Sequence, residues 1–172
     1  MSILSLFFPL YFTLAALFLT VIETTLFPNL GLPSICTPDL NLALITFLAS
    51  CPLSWRTLLA AVGVSLATIL CTSTPNIIQS GIMLFVFFTG CRLNQTIFMN
   101  NIFPQAFFAG CSKLVMVLFL YFMASPPPPF GKTLMVASGC AITTALFAFP
   151  ILFYLNILQK RLQPLNHDRI AS

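Results

Sequence analysis

Charge is almost absent from the interior of this chain. Ten Asp, Glu, Lys and Arg side chains serve 172 positions, and nearly all of them stand at the edges of long apolar runs. They are Glu23, Asp39, Arg56, Arg92, Lys113, Lys132, Lys160, Arg161, Asp168 and Arg169. Lys113 alone falls deep within a run. The stretches between them are long enough to cross a hydrocarbon core about 30 Å thick, which takes about 20 helical residues. A charged content of 6% and a mean hydropathy of +1.02 lie far from soluble domains, where about a quarter of residues are charged. The solvent of such a chain is a lipid bilayer.

The apolar runs are continuous rather than alternating, which excludes a transmembrane β-barrel and leaves helices to satisfy the backbone in lipid. The expected fold is an all-α integral membrane protein, a single polytopic domain over residues 1–172. The first run lacks a basic leader and a small-residue cleavage site before Glu23, so it reads as a retained span. Six spans follow from the pattern, at about 3–22, 38–53, 56–72, 77–91, 104–124 and 133–158. With the N-terminus inside, Arg56, Arg92, Lys160, Arg161 and Arg169 fall on the cytoplasmic side and only Lys132 outside, so the positive-inside rule puts both termini in the cytoplasm.

Pro28, Pro33 and Pro38 divide the first outer connection, residues 23–37, into a loop that excludes a continuous helix. Thr37-Pro38-Asp39 then reads as an N-cap, a first-turn proline and an acid at the positive end of the second helix. Pro126 to Pro129 form a stiff spacer between the last two spans. Ala137, Ala141 and Ala145 recur every four residues in the sixth span and admit a close neighbour, as do Ala61, Gly63 and Ser65 in the third. Pro150 predicts a kink.

The residues offer no catalytic constellation, and the chain reads as a non-enzyme without a cofactor or nucleic-acid partner. Cys36, Cys51, Cys71, Cys91, Cys111 and Cys140 contain no CxxC pair and, with a single His167, supply no metal site. They read as small packing residues, with a Cys36–Cys71 disulfide open on the outer side. Gly131-Lys132-Thr133 lacks the upstream glycine of a phosphate loop, since Pro126 stands there. Asn94-Gln95-Thr96 matches a glycosylation sequon on the wrong side of the membrane.

Lys113 is the most informative single residue, because an ammonium near the bilayer centre is costly without a partner or water. It either sits in a polar cavity that binds an anionic group or a partner's carboxylate, or pairs with Glu23 or Asp39, or snorkels. Glu23 and Asp39 flank the outer loop and are candidates for a partner contact, with helix capping as the competing role of Asp39. Trp55 beside Arg56 marks the cytoplasmic interface, and the basic tail is a topology anchor with some attraction to anionic lipid.

Three pieces together resemble the MreD family of rod shape-determining proteins. The first span ends in Glu23-Thr24-Thr25-Leu26-Phe27-Pro28, the second opens with Pro38-Asp39-Leu40 followed by residues 41–49, and the fourth closes with Gly90-Cys91-Arg92-Leu93. A last span running into Lys160-Arg161-Leu162 also fits, and the similarity covers most of the chain. Two departures stand out. Residues 70–77 lack the acid common at the end of the family's third span, and Lys113 stands where an acid is common in its fifth.

The resemblance implies a non-enzymatic subunit of the bacterial cell-elongation machinery in the inner membrane. Such a subunit binds membrane lipid and an MreC-like bitopic protein, and helps couple MreB filaments to the peptidoglycan synthase RodA and its transpeptidase partner. Glu23, Asp39, Arg92 and Lys113 are then candidates for partner or cavity contacts. The alternative is the substrate-binding S component of an energy-coupling-factor transporter. It would draw on Ala15-Ala16 and on a pocket formed from Lys113, Ser112, Gln79, Thr143 and Thr144.

Overall fold

The computed structural model describes residues 4–29, 37–71, 77–96, 101–123 and 129–162, and among them every regular element is a helix. The helices are α1 (Leu4–Asn29), α2 (Leu40–Ser50), α3 (Trp55–Cys71), α4 (Ile77–Thr96), α5 (Ile102–Met123) and α6 (Phe130–Leu162). Four of them, α1, α4, α5 and α6, are long and apolar enough to cross a membrane. The other two are shorter, and α2 has only 11 residues. At 1.5 Å per residue α2 is about 16 Å long, half of a hydrocarbon core.

That short helix is the centre of the bundle. Every residue from Leu40 to Ala49 is buried, and α2 touches all five other helices. Around it α1 packs chiefly along α3, and α6 along α5. Phe12 stacks on Phe47, Thr20 meets Asn41 and Glu23 meets Leu40, so α1 and α2 run antiparallel. Gln105 lies beside Ser50 and Lys113 beside Asp39, which makes α5 antiparallel to α2 as well. The start of α1, the end of α4, the start of α5 and the end of α6 therefore share the end of the bundle where α2 finishes.

Small residues set the close approaches. A Cβ added at Gly110 would lie 2.9 Å from the Ala141 carbonyl oxygen and 3.1 Å from the Ala145 Cβ, so two of the three periodic alanines of α6 receive α5. Ala137, the third, is fully buried. A Cβ at Gly63 would meet Thr13 Oγ1 at 2.1 Å, which fixes the α1 to α3 contact. Helical hydroxyls within the bundle bond back to carbonyls of their own helix, as Thr20 does to Ala16 at 2.8 Å and Ser65 to Ala61 at 2.8 Å. This is the local way to keep a hydroxyl satisfied away from water.

Three expectations change. The first helix does not stop at Glu23 but continues through Pro28 to Asn29. A proline that close to a helix end forfeits little of the ladder, and Thr24 and Thr25 brace the turn through bonds to Thr20 and Val21 carbonyls. The cap of α2 is Asp39 rather than Thr37, since its carboxylate accepts from the Leu42 N–H. Helix α6 begins at Phe130 and contains Gly131-Lys132-Thr133 in its first turn. Pro150 lies inside α6. The proposed Cys36–Cys71 pair and Pro126 to Pro128 fall outside what is described here, Cys71 as regards its side chain.

Gly110→Ala is expected to lower stability by about 1–3 kcal/mol, because the added carbon meets backbone on α6 that cannot step aside. Gly81→Ala, which meets nothing within 4 Å, should be neutral or slightly stabilising. Thermal unfolding of both variants in detergent micelles checks the pair.

Candidate functional site

The sequence places Asp39 at the start of α2, and the geometry places that start at half the height of the bundle. Lys113 lies near the middle of the 22-residue α5, and Thr144 near the middle of the 33-residue α6. Both reach Asp39. Lys113 Nζ donates to Asp39 Oδ2 at 2.9 Å, and the Asp39 N–H donates to Thr144 Oγ1 at 3.0 Å. This is the one ion pair among the described residues, with Lys113 14% and Asp39 6% exposed at the side chain.

The first turn of a helix leaves its leading N–H groups without intrahelical partners. In α2 side chains supply them. The Leu40 N–H donates to a Glu23 carboxylate oxygen reaching across from α1, and the Leu42 N–H donates to Asp39 Oδ1 at 3.3 Å. Two carboxylates at the positive end of a helix dipole are favourably placed, and the ammonium of Lys113 offsets their mutual repulsion. Asn41 completes the cluster by donating from Nδ2 to Thr20 Oγ1 at 2.8 Å. Its Oδ1 is a buried acceptor without a partner.

The other end of α2 is held by neutral amides. Asn94 Nδ2 of α4 donates to the Ser50 carbonyl at 3.0 Å. Gln105 Nε2 of α5 donates to Ser50 Oγ at 2.9 Å, and Asn156 Nδ2 of α6 donates to Gln105 Oε1 at 3.0 Å. Donors suit the negative end of the dipole. Gly90 presses on this end, where an added Cβ would lie 2.7 Å from the Ala49 Cβ, and Cys51 and Cys91 are buried in the same core.

Of the four residues singled out from the sequence, Glu23, Asp39 and Lys113 meet at one place. Arg92 is exposed on α4, next to Cys91 and at the opposite end of α2. Thr20, Asn41, Ser50, Asn94, Gln105 and Asn156 were not read from the sequence as parts of a site. Asn41, Gln105 and Asn156 carry the available signal, since each is a lone amide inside an apolar helix, where a polar side chain needs a named partner. No family model matches the chain, no curated protein is significantly similar to it, and no solved structure matches it at a significant level.

Removing one member of a buried ion pair strands the other, so Lys113→Met is expected to cost about 3 kcal/mol or more. The double variant Lys113→Met with Asp39→Asn should recover a large part of that loss, because neither charge is then left alone. A double-mutant cycle on thermal or denaturant unfolding in micelles measures the coupling. Strict additivity would sink the assignment.

Proposed function

We propose that this protein is a non-enzymatic, multi-pass subunit of the bacterial cell-elongation machinery in the inner membrane. In this reading six helices form the membrane domain and both termini face the cytoplasm. The subunit docks an MreC-like bitopic protein and helps couple MreB filaments to RodA and its transpeptidase. The observation that supports this is where the three stretches of MreD-like sequence lie. Glu23 and Asp39-Leu40 join at the start of α2, and Gly90-Cys91 pack on its end. Segments that are far apart in the chain thus share one structural task, fixing a buried half-length helix.

The chemistry of that core favours a docking subunit over a solute carrier. Lys113 and Thr144 are engaged by Asp39, and the Thr143 hydroxyl bonds to carbonyls of its own helix. A solute recruiting these groups would have to displace α2 from its anchors. The faces left for partners are the apolar exteriors of the spans, where association rests on packing and on few polar contacts.

The test is affinity purification of the tagged protein from native membranes in mild detergent, with mass spectrometry of what accompanies it. Recovery of a single-span protein with an extracytoplasmic domain, together with wall synthases, is the expected result. Recovery of a transmembrane coupling subunit with two ATPases would overturn it in favour of the transporter reading.

A further inference from the structure

We propose that the first turn of α2 is a proton-binding site, in which the Glu23 carboxyl group holds one proton and donates it to Asn41 Oδ1. The proposal rests on the membrane placement of the helices and not on the elongation reading.

Two observations meet at this turn. The first is an unbalanced charge. Glu23 and Asp39 accept from the Leu40 and Leu42 N–H groups, and Lys113 is the one cation paired there among the described residues. With both acids ionised the cluster carries one surplus negative charge. Glu23 lies inside the apolar stretch Phe7–Phe27 of α1 and Asp39 is 5% exposed, and an unmatched charge in such surroundings is costly. The second is an acceptor without a donor. Asn41 is 0% exposed, and its Oδ1 has no hydrogen-bond partner among the described residues.

The geometry joins the two. The Asn41 amide reaches α1, where its Nδ2 donates to Thr20 Oγ1, so Oδ1 lies at the contact between α1 and α2. Thr20 and Glu23 stand three residues apart and share a face of α1. Glu23 is held at Leu40, the residue before Asn41, and the Asn41 N–H also faces its carboxyl group. A protonated Glu23 keeps one oxygen to accept from the Leu40 N–H and gains an O–H for the Asn41 acceptor. One proton thus removes the surplus charge and supplies the missing donor.

A proton suits this place better than a metal ion. The groups that α2 turns toward Glu23 are N–H donors at the positive end of its dipole, and the Lys113 ammonium stands beside them. A hard metal cation needs about six oxygen ligands and would meet those donors head on, whereas a proton needs one donor oxygen and one acceptor. Among the described residues α2 brings Asp39 to the site and α5 brings Lys113, while α6 brings the Thr144 hydroxyl and, near Lys113, the Cys140 thiol. Lys132 stands twelve residues before Thr144, about 18 Å along α6. Arg56 of α3 and Arg92 of α4 lie at the opposite end of α2.

The test is infrared spectroscopy of the purified full-length protein in lipid vesicles at neutral pH. Only Glu23, Asp39 and Asp168 carry acidic side chains, so the carbonyl band of a protonated carboxyl group is assignable by substitution. Such a band, sensitive to heavy water, is expected in the unmodified protein and in Asp168→Asn, and is lost in Glu23→Gln. Asn41→Ala should move it to higher frequency, because the carboxyl group loses its acceptor. Glutamine resembles a protonated glutamate in shape and carries both an acceptor and a donor, so Glu23→Gln should keep the neutral-pH Tm while Glu23→Ala lowers it. A fold that binds one proton more than the unfolded chain loses stability as pH rises, and that loss should shrink in Glu23→Gln. Absence of the carboxyl band from the unmodified protein would overturn the proposal without recourse to any variant. So would a band that survives Glu23→Gln, or a Glu23→Gln protein whose Tm falls as far as that of Glu23→Ala.

Discussion

A helix half as long as the membrane is thick has at least one end at depth, where no water is available for the backbone groups that helix geometry leaves unpaired. Helix α2 meets this constraint with side chains from its neighbours, and much of the bundle is arranged to deliver them. Glu23 must come from α1, Lys113 from α5 and Thr144 from α6, so these three helices are tied to the same point on α2. Asn94, Gln105 and Asn156 repeat the arrangement at the other end from α4, α5 and α6. The helix contributing least length thereby determines the relative height of four others.

The two ends use different chemistry because the helix presents opposite partial charges there. Carboxylates sit at the N-terminal end and amide donors at the C-terminal end, each in the favourable sense of the dipole. The acidic end carries the larger desolvation cost, and Lys113 offsets it. A buried ion pair is weak evidence for net stability, since an apolar replacement of similar shape is often as stable. Its clearer effect is on uniqueness. Asp39 fits its cap, its Thr144 bond and its Lys113 partner in only one register of α2 against α5 and α6.

The helical class, the six apolar segments and a close approach on the alanine face of α6 were legible in the sequence, because hydropathy and the spacing of Ala141 and Ala145 report them directly, whereas the identity of α5 as the neighbour came from the packing at Gly110. Lys113 was legible as an anomaly, and Asp39 as one of two acids able to pair with it. The depth of Asp39 was not. Hydropathy drew the second span from 38 to 53 because Pro38, Leu40 and the residues after Ser50 do not interrupt an apolar average, whereas helix geometry stops at the caps, Asp39 and Cys51. The amides were missed for a related reason. Asn41, Gln105 and Asn156 each stand alone among apolar neighbours, and only the packing of distant helices shows that they meet serines, threonines and one another. The extension of α1 past Glu23 was obscured by Pro28, whose cost depends on how near the helix end lies.

The sign of the charge at position 113 also bears on the MreD-like reading. In that family an acid is common in the fifth span. At this position of this structure an acid would gather a third carboxylate beside Glu23 and Asp39, with no cation among the described residues to offset them. A chain carrying that acid must therefore bring a cation from another helix or hold the start of α2 by other means. Here the cation comes from α5 itself, so the charge that anchors α2 is supplied within the chain. The charged core then serves to keep the apolar outer faces of the helices in a fixed arrangement.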